Sequence, residues 1–101
     1  MWAQLIKWRI KPGTEEQILR LSAQWDEEVG RGTDSGWQET HIFHTAGNPN
    51  EWYELVYFES EEKARRSERD AKHQKLLEAL LALMNGEPEF VDLTPVSRTQ
   101  R

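Results

Sequence analysis

The stretch Trp2 to Lys11 is apolar on both of its alternating faces, and no other feature limits the fold as strongly. Trp2, Ile6, Trp8 and Ile10 occupy the even positions, while Ala3 and Leu5 stand on the odd ones. Period-two spacing in tryptophan and β-branched residues predicts a strand. A strand apolar on both sides belongs inside a sheet that is covered above and below. A chain of 101 residues holds one small core, so it can hardly supply both covers itself.

The remaining pattern alternates regularly. Pro12-Gly13 stops the strand, and Thr14-Glu15-Glu16-Gln17 reads as a capping box opening a helix. Ile18, Leu21, Trp25 and Val29 follow at helical spacing, up to the flexible run Gly30 to Gly36. Trp37 to Ala46 and Trp52 to Glu59 are two strand-like runs around Gly47-Asn48-Pro49-Asn50, with Glu51 at its end, which predicts a hairpin. Its turn centres on Asn48 or between Asn48 and Pro49, and a one-residue slip would reverse the faces of the second strand. Ser60 caps a second helix whose first half, Glu61 to Lys72, is charged and either solvated or broken. Its second half carries Leu76, Leu77, Leu80, Leu81, Leu83 and Met84. Asn85-Gly86 ends it, and Phe90, Val91, Leu93 and Val96 form a last strand. One domain over residues 1–97 and a frayed tail over 98–101 are expected.

The order βαββαβ, with right-handed crossovers, predicts an α+β ferredoxin-like sandwich. It comprises a four-stranded antiparallel sheet with two helices on one face. The opposite face finds no cover in this chain, which predicts a homodimer, a dimeric α/β barrel, in which a second copy provides it.

Several function classes drop out. The chain has no cysteine, hence no disulfide, thiolate nucleophile or zinc-thiolate site. No apolar run approaches the ~20 residues needed to span a bilayer. Met1 to Lys7 shows no basic segment followed by an apolar one, so no secretory signal is expected and a cytoplasmic location is. A net charge of −5 argues against a nucleic-acid partner. The same strand order serves RNA-recognition modules, but Tyr53 to Phe58 lacks the basic residues and glycine of their aromatic motif.

The junctions between elements resemble those of the antibiotic-biosynthesis-monooxygenase type of dimeric α/β-barrel proteins. The resemblance rests on Lys11-Pro12-Gly13, Gly36, Tyr57-Phe58-Glu59-Ser60-Glu61-Glu62, Asp70-Ala71-Lys72-His73 and Gly86-Glu87-Pro88. It runs from Trp2 to Val96. In the phenol-oxidising members it implies an asparagine and a tryptophan on the third strand and a helix tyrosine; Glu54, Phe58 and Ala64 hold those positions here. The haem-degrading branch implies an asparagine, a tryptophan and a histidine where this chain has Ile6, Ser67 and Leu77. Both catalytic sets are absent, so the resemblance carries the fold further than the chemistry.

Candidate chemistry therefore has to come from the residues themselves. His41 and His44 have metal-pair spacing, but residues three apart on a strand face opposite ways, so no metal site is expected. Either imidazole can serve as a general base. Glu54 shares a face with Trp52, Val56 and Phe58. Beneath the helices it would be desolvated and basic enough to take a proton from a phenol or enol; alternatively it meets solvent, or pairs with Lys7 or Arg9. Gln4, Ile6, Trp8, Trp25, Phe58 and His73 are the candidate substrate contacts. Trp8 and Trp25 read as aromatic walls, although tryptophan at such spacing is more often plain core, and His73 reads as a polar helix start. The expected activity is cofactor-independent oxygenation of a small aromatic or enolisable substrate. A non-catalytic binding or structural dimer, or an isomerase of the muconolactone type, is the alternative.

Overall fold

Trp2–Arg9 forms β1, and it lies where a doubly apolar strand should, between two others. The computed structural model describes all 101 residues. After β1 come α1 (Glu15–Trp25), which runs on into a π-helical turn over Asp26–Gly30, then β2 (Trp37–Thr45) and β3 (Asn48–Phe58). They are followed by α2 (Glu61–Glu68), α3 (Ala71–Leu81) and β4 (Glu89–Leu93). The sheet order is β2-β3-β1-β4 with every neighbour antiparallel, a ferredoxin-like α+β fold. No helix is long and apolar enough to cross a membrane.

Three local expectations are corrected, and of the two readings of the charged half-helix the broken one holds. The Thr14 hydroxyl does not accept from Gln17; it donates to the Lys11 carbonyl at 2.6 Å, closing the turn in which Gly13 takes a φ of +82°. The second helix is two helices. Asp70 adopts extended backbone, and its carboxylate accepts from the amide of Lys72, starting α3 afresh. The hairpin turns at Ala46-Gly47, with Thr45 paired to Asn48, so β3 begins earlier than the proline suggests. Pro49 is tolerated there because Pro49 to Glu51 have no partner on β2; the Asn48 side chain accepts from the amide of Asn50. At the other end, β4 stops at Leu93 and Val96 is 97% exposed. Pro95 offers no N–H for the ladder, and Leu93 already pairs with Ala3 near the start of β1.

The helices cover one sheet face, and the core beneath them falls into two clusters. Trp8, Ile10, Ile18, Trp52 and Met84 form one; Trp2, Val56, Phe58 and Ala64 form the other. Ile6 packs against both. Register places Ala3, Leu5, Tyr53, Leu55, Tyr57 and Val91 on the opposite face, which no element covers. Only 14 of 101 residues are buried, as expected of a sheet with one bare side.

Candidate functional site

A cavity of about 520 Å³ opens between the sheet and the helices, beside Ile6. Its floor is built by period-two alternation: Gln4 and Ile6 of β1, Glu54, Val56 and Phe58 of β3, and Phe90 of β4 all project from one face. Trp25, at the end of α1, forms part of the wall. Its ring meets Trp37 edge-on at 5.9 Å and Phe58 at 6.3 Å. Gly30 makes that packing possible. A β-carbon there would lie 2.8 Å from the Trp37 ring and 2.9 Å from Trp25.

Two acids stand on that floor, Glu54 and Asp92, and Glu54 is the one without a partner. Its carboxylate makes no hydrogen bond and no ion pair within the chain. Burial pushes its pKa from 4.5 up to about 7, and the nearby Asp26 carboxylate adds to the effect. Lys7 and Arg9 cannot neutralise it, because they stand opposite Tyr53 and Glu51 on the other side of the sheet. Asp26 also lines the cavity, and its own pKa is raised, mainly by desolvation, against the pull of Arg31.

His73 faces the cavity from α3 and accepts a hydrogen bond at Nδ1 from the Trp25 indole Nε1–H, at 2.9 Å. An indole nitrogen only donates, so the ring nitrogen it reaches must be unprotonated. The imidazole is therefore neutral, with its proton on Nε2. Burial pushes its pKa down in the same direction. At the rim, Arg65 pairs with Asp92 and, at 3.0 Å, with Glu68, and its guanidinium lies 5.2 Å from the Trp2 ring. Gln4 donates to Asp92 at 3.1 Å.

The structure thus brings Glu54, Gln4, Ile6, Trp25, Phe58 and His73 to one cavity. Three candidates fall outside it. Trp8 belongs to the other core cluster, edge-on to Trp52 at 5.9 Å, and is core rather than wall. His41 points to the bare face, stacked on Phe43 and bonded to Glu39 at 3.0 Å. His44 is exposed and hydrogen-bonded to the Thr45 carbonyl, away from the cavity. Neither imidazole reaches Glu54, so the two cannot share its chemistry. Sequence reasoning missed Asp26, Arg65 and Asp92. Asp92 carries a readable signal: it alternates with Phe90, so any register placing Phe90 over Ile6 puts Asp92 over Gln4.

No family model matches the chain, and no curated protein does. Solved structures do. The chain superposes on an antibiotic biosynthesis monooxygenase with a TM-score of 0.78, covering 96% of this chain and 100% of that one at 13% identity. With a variant of SnoaB, a cofactor-independent oxygenase from Streptomyces nogalater, the TM-score is 0.84 over 99% and 97% of the chains, at 13% identity. The fold is that of the antibiotic biosynthesis monooxygenases. A conserved protein from Methanosarcina mazei Go1 shares this monooxygenase fold, with a TM-score of 0.78 over 92% and 91% at 16% identity. At such identities the likeness is one of architecture. On the antibiotic-biosynthesis-monooxygenase scaffold, the chemistry of this chain has to be argued from its own cavity.

Proposed function

We propose that this chain is a cofactor-independent oxygenase acting on a small aromatic or enolisable substrate, with Glu54 as the base. The observation that carries the reading is an unpaired carboxyl with a pKa near neutrality, on the floor of a cavity walled by tryptophan and phenylalanine. A cavity of about 520 Å³ accommodates fused aromatic rings.

In this reading Glu54 removes a proton from an enolisable ring, leaving an electron-rich anion among aromatic walls. The anion passes one electron to O₂, and the radical pair joins as a carbon-bound peroxide that takes the proton back. Loss of the remaining C–H proton breaks the O–O bond. A methylene becomes a carbonyl, with one oxygen atom kept and the other leaving as water. The substrate supplies the electrons. The His73 Nε2–H donates a hydrogen bond to the developing oxyanion. The bare sheet face, with Leu5, Leu55 and Tyr57, meets a second copy, making the working form a cytoplasmic homodimer.

Oxygen uptake decides the matter. The protein is incubated with anthrones and hydroquinones under air and under nitrogen. Consumption that needs both protein and O₂, and falls to background in Glu54→Gln, is expected. Turnover that persists under nitrogen would assign a proton-transfer isomerase to the same base. Absence of turnover with every compound would leave a binding protein.

A further inference from the structure

Six ionisable side chains face the cavity, and their balance is one-sided. Asp26, Glu54, Glu68 and Asp92 are acidic; Arg65 and His73 are the basic ones. Arg65 is already held by Asp92 and Glu68. His73 cannot act as a cation while its Nδ1 accepts the Trp25 N–H. No positive charge is therefore left for an anionic ligand. The two inner carboxyls stand in the opposite condition. Glu54 is half-buried and has no partner, and the Asp26 carboxyl has neither a hydrogen bond nor an ion pair, only the more distant pull of Arg31. Trp25 adds an indole, the side chain that attracts cations best, while the Trp2 ring already carries the Arg65 guanidinium. Asp26 also stands toward the C-terminal end of the helical run from Glu15 to Gly30, where the helix dipole favours a positive charge.

We propose that the cavity takes a flat aromatic ligand carrying a basic nitrogen, held as an ammonium by Asp26 against the tryptophan wall. This rests on reading the cavity as the substrate site. It divides the two acids: Asp26 holds the cation and Glu54 remains free to move a proton. It also excludes carboxylate-bearing aromatics, which would place a third negative charge beside two unpaired ones.

Three ligands with the same ring system and different charge test it: naphthylmethylamine, naphthylmethanol and naphthoate, titrated calorimetrically at pH 8. The amine is expected to bind at least about tenfold tighter than the alcohol, and naphthoate not detectably. In Asp26→Asn the amine should fall to the affinity of the alcohol, while binding of the alcohol reports that the variant is folded. An amine that binds no better than the alcohol in the native protein, or naphthoate that binds as well, overturns the proposal. So does a preference that survives Asp26→Asn. Binding is read without turnover, so the two ideas fail separately. A cation preference without oxygen uptake leaves this inference standing and removes the oxygenase; uptake without preference does the reverse.

Discussion

Replacing Glu54 by glutamine should make the protein more stable, and only above a definite pH. A carboxyl whose pKa rises from 4.5 in the unfolded chain to about 7 in the fold binds its proton more tightly when folded. The native state then carries more protons than the unfolded one between those values, so stability falls as pH rises across that window. Below pH 4.5 the group is neutral in both states and no penalty exists. Above 7 the penalty is complete. At ~1.4 kcal/mol for each tenfold change in proton affinity, it amounts to about 3 kcal/mol. Glutamine keeps the shape and removes the ionisation. Glu54→Gln should therefore match the parent near pH 4 and exceed it by about 3 kcal/mol at pH 8.5, raising Tm by roughly 10 °C or more. Thermal unfolding at fixed protein concentration, from pH 4 to 8.5, is the assay, because any self-association would otherwise move Tm. Melting curves of the two proteins that stay parallel over the whole range would refute the burial of this carboxyl. A stabilised Glu54→Gln without oxygen uptake is what a strained catalytic group produces.

In ¹⁵N spectra, His73 should show an unprotonated Nδ1 and a protonated Nε2 at neutral pH. Trp25→Phe, which removes the indole donor, should release that tautomer and raise the histidine pKa; an unchanged spectrum would refute the pairing. Gly30→Ala should destabilise by about 1–3 kcal/mol in chemical denaturation, since its β-carbon would strike the Trp25 and Trp37 rings. Asp70→Ala should lose about 1 kcal/mol and lower helicity in α3, because Asp70 caps that helix through the Lys72 amide. Leu55→Arg, on the bare face, should turn a dimer into a monomer by light scattering while leaving the circular dichroism unchanged.

The fold was legible where spacing alone decides the element. The alternation of Trp2, Ile6 and Trp8 and the stripe Ile18, Leu21, Trp25 are local statements, and the structure repeats them in β1 and α1. Punctuation was harder, because it depends on partners. Pro49 reads as a breaker until β3 is seen to leave β2 there and stay on β1, with the Ile10 amide donating to the Asn50 carbonyl at 2.9 Å. Glu54 was visible as a polar residue on an apolar face. The remaining cavity acids were hidden for another reason: Asp26 sits in an acidic helical stretch, and Arg65 in a run that reads as solvated. Only the packing of α2 and the widened turn after Trp25 shows which members face inward.

The placement of the basic residues argues that the Glu54 charge is not a structural accident. Had β1 carried a lysine or arginine at Ile6, its side chain would lie directly across from Glu54 and pair with it, at small net energetic consequence. Lys7 and Arg9 instead occupy the odd positions, where Arg9 stands opposite Glu51 on the other side of the sheet. The carboxylate beside the hairpin end thus has the Thr45 and Tyr53 hydroxyls donating to it and a cation across the ladder, while the one inside the cavity has no partner. Typical domains are stable by only 5–15 kcal/mol, so a group that removes about 3 kcal/mol above neutral pH is a large concession. A leucine at position 54 would fill the floor without it. A carboxyl retained there, beside a histidine whose tautomer is set by Trp25, gives the cavity a proton acceptor and a proton donor within one apolar enclosure. Packing alone asks for neither.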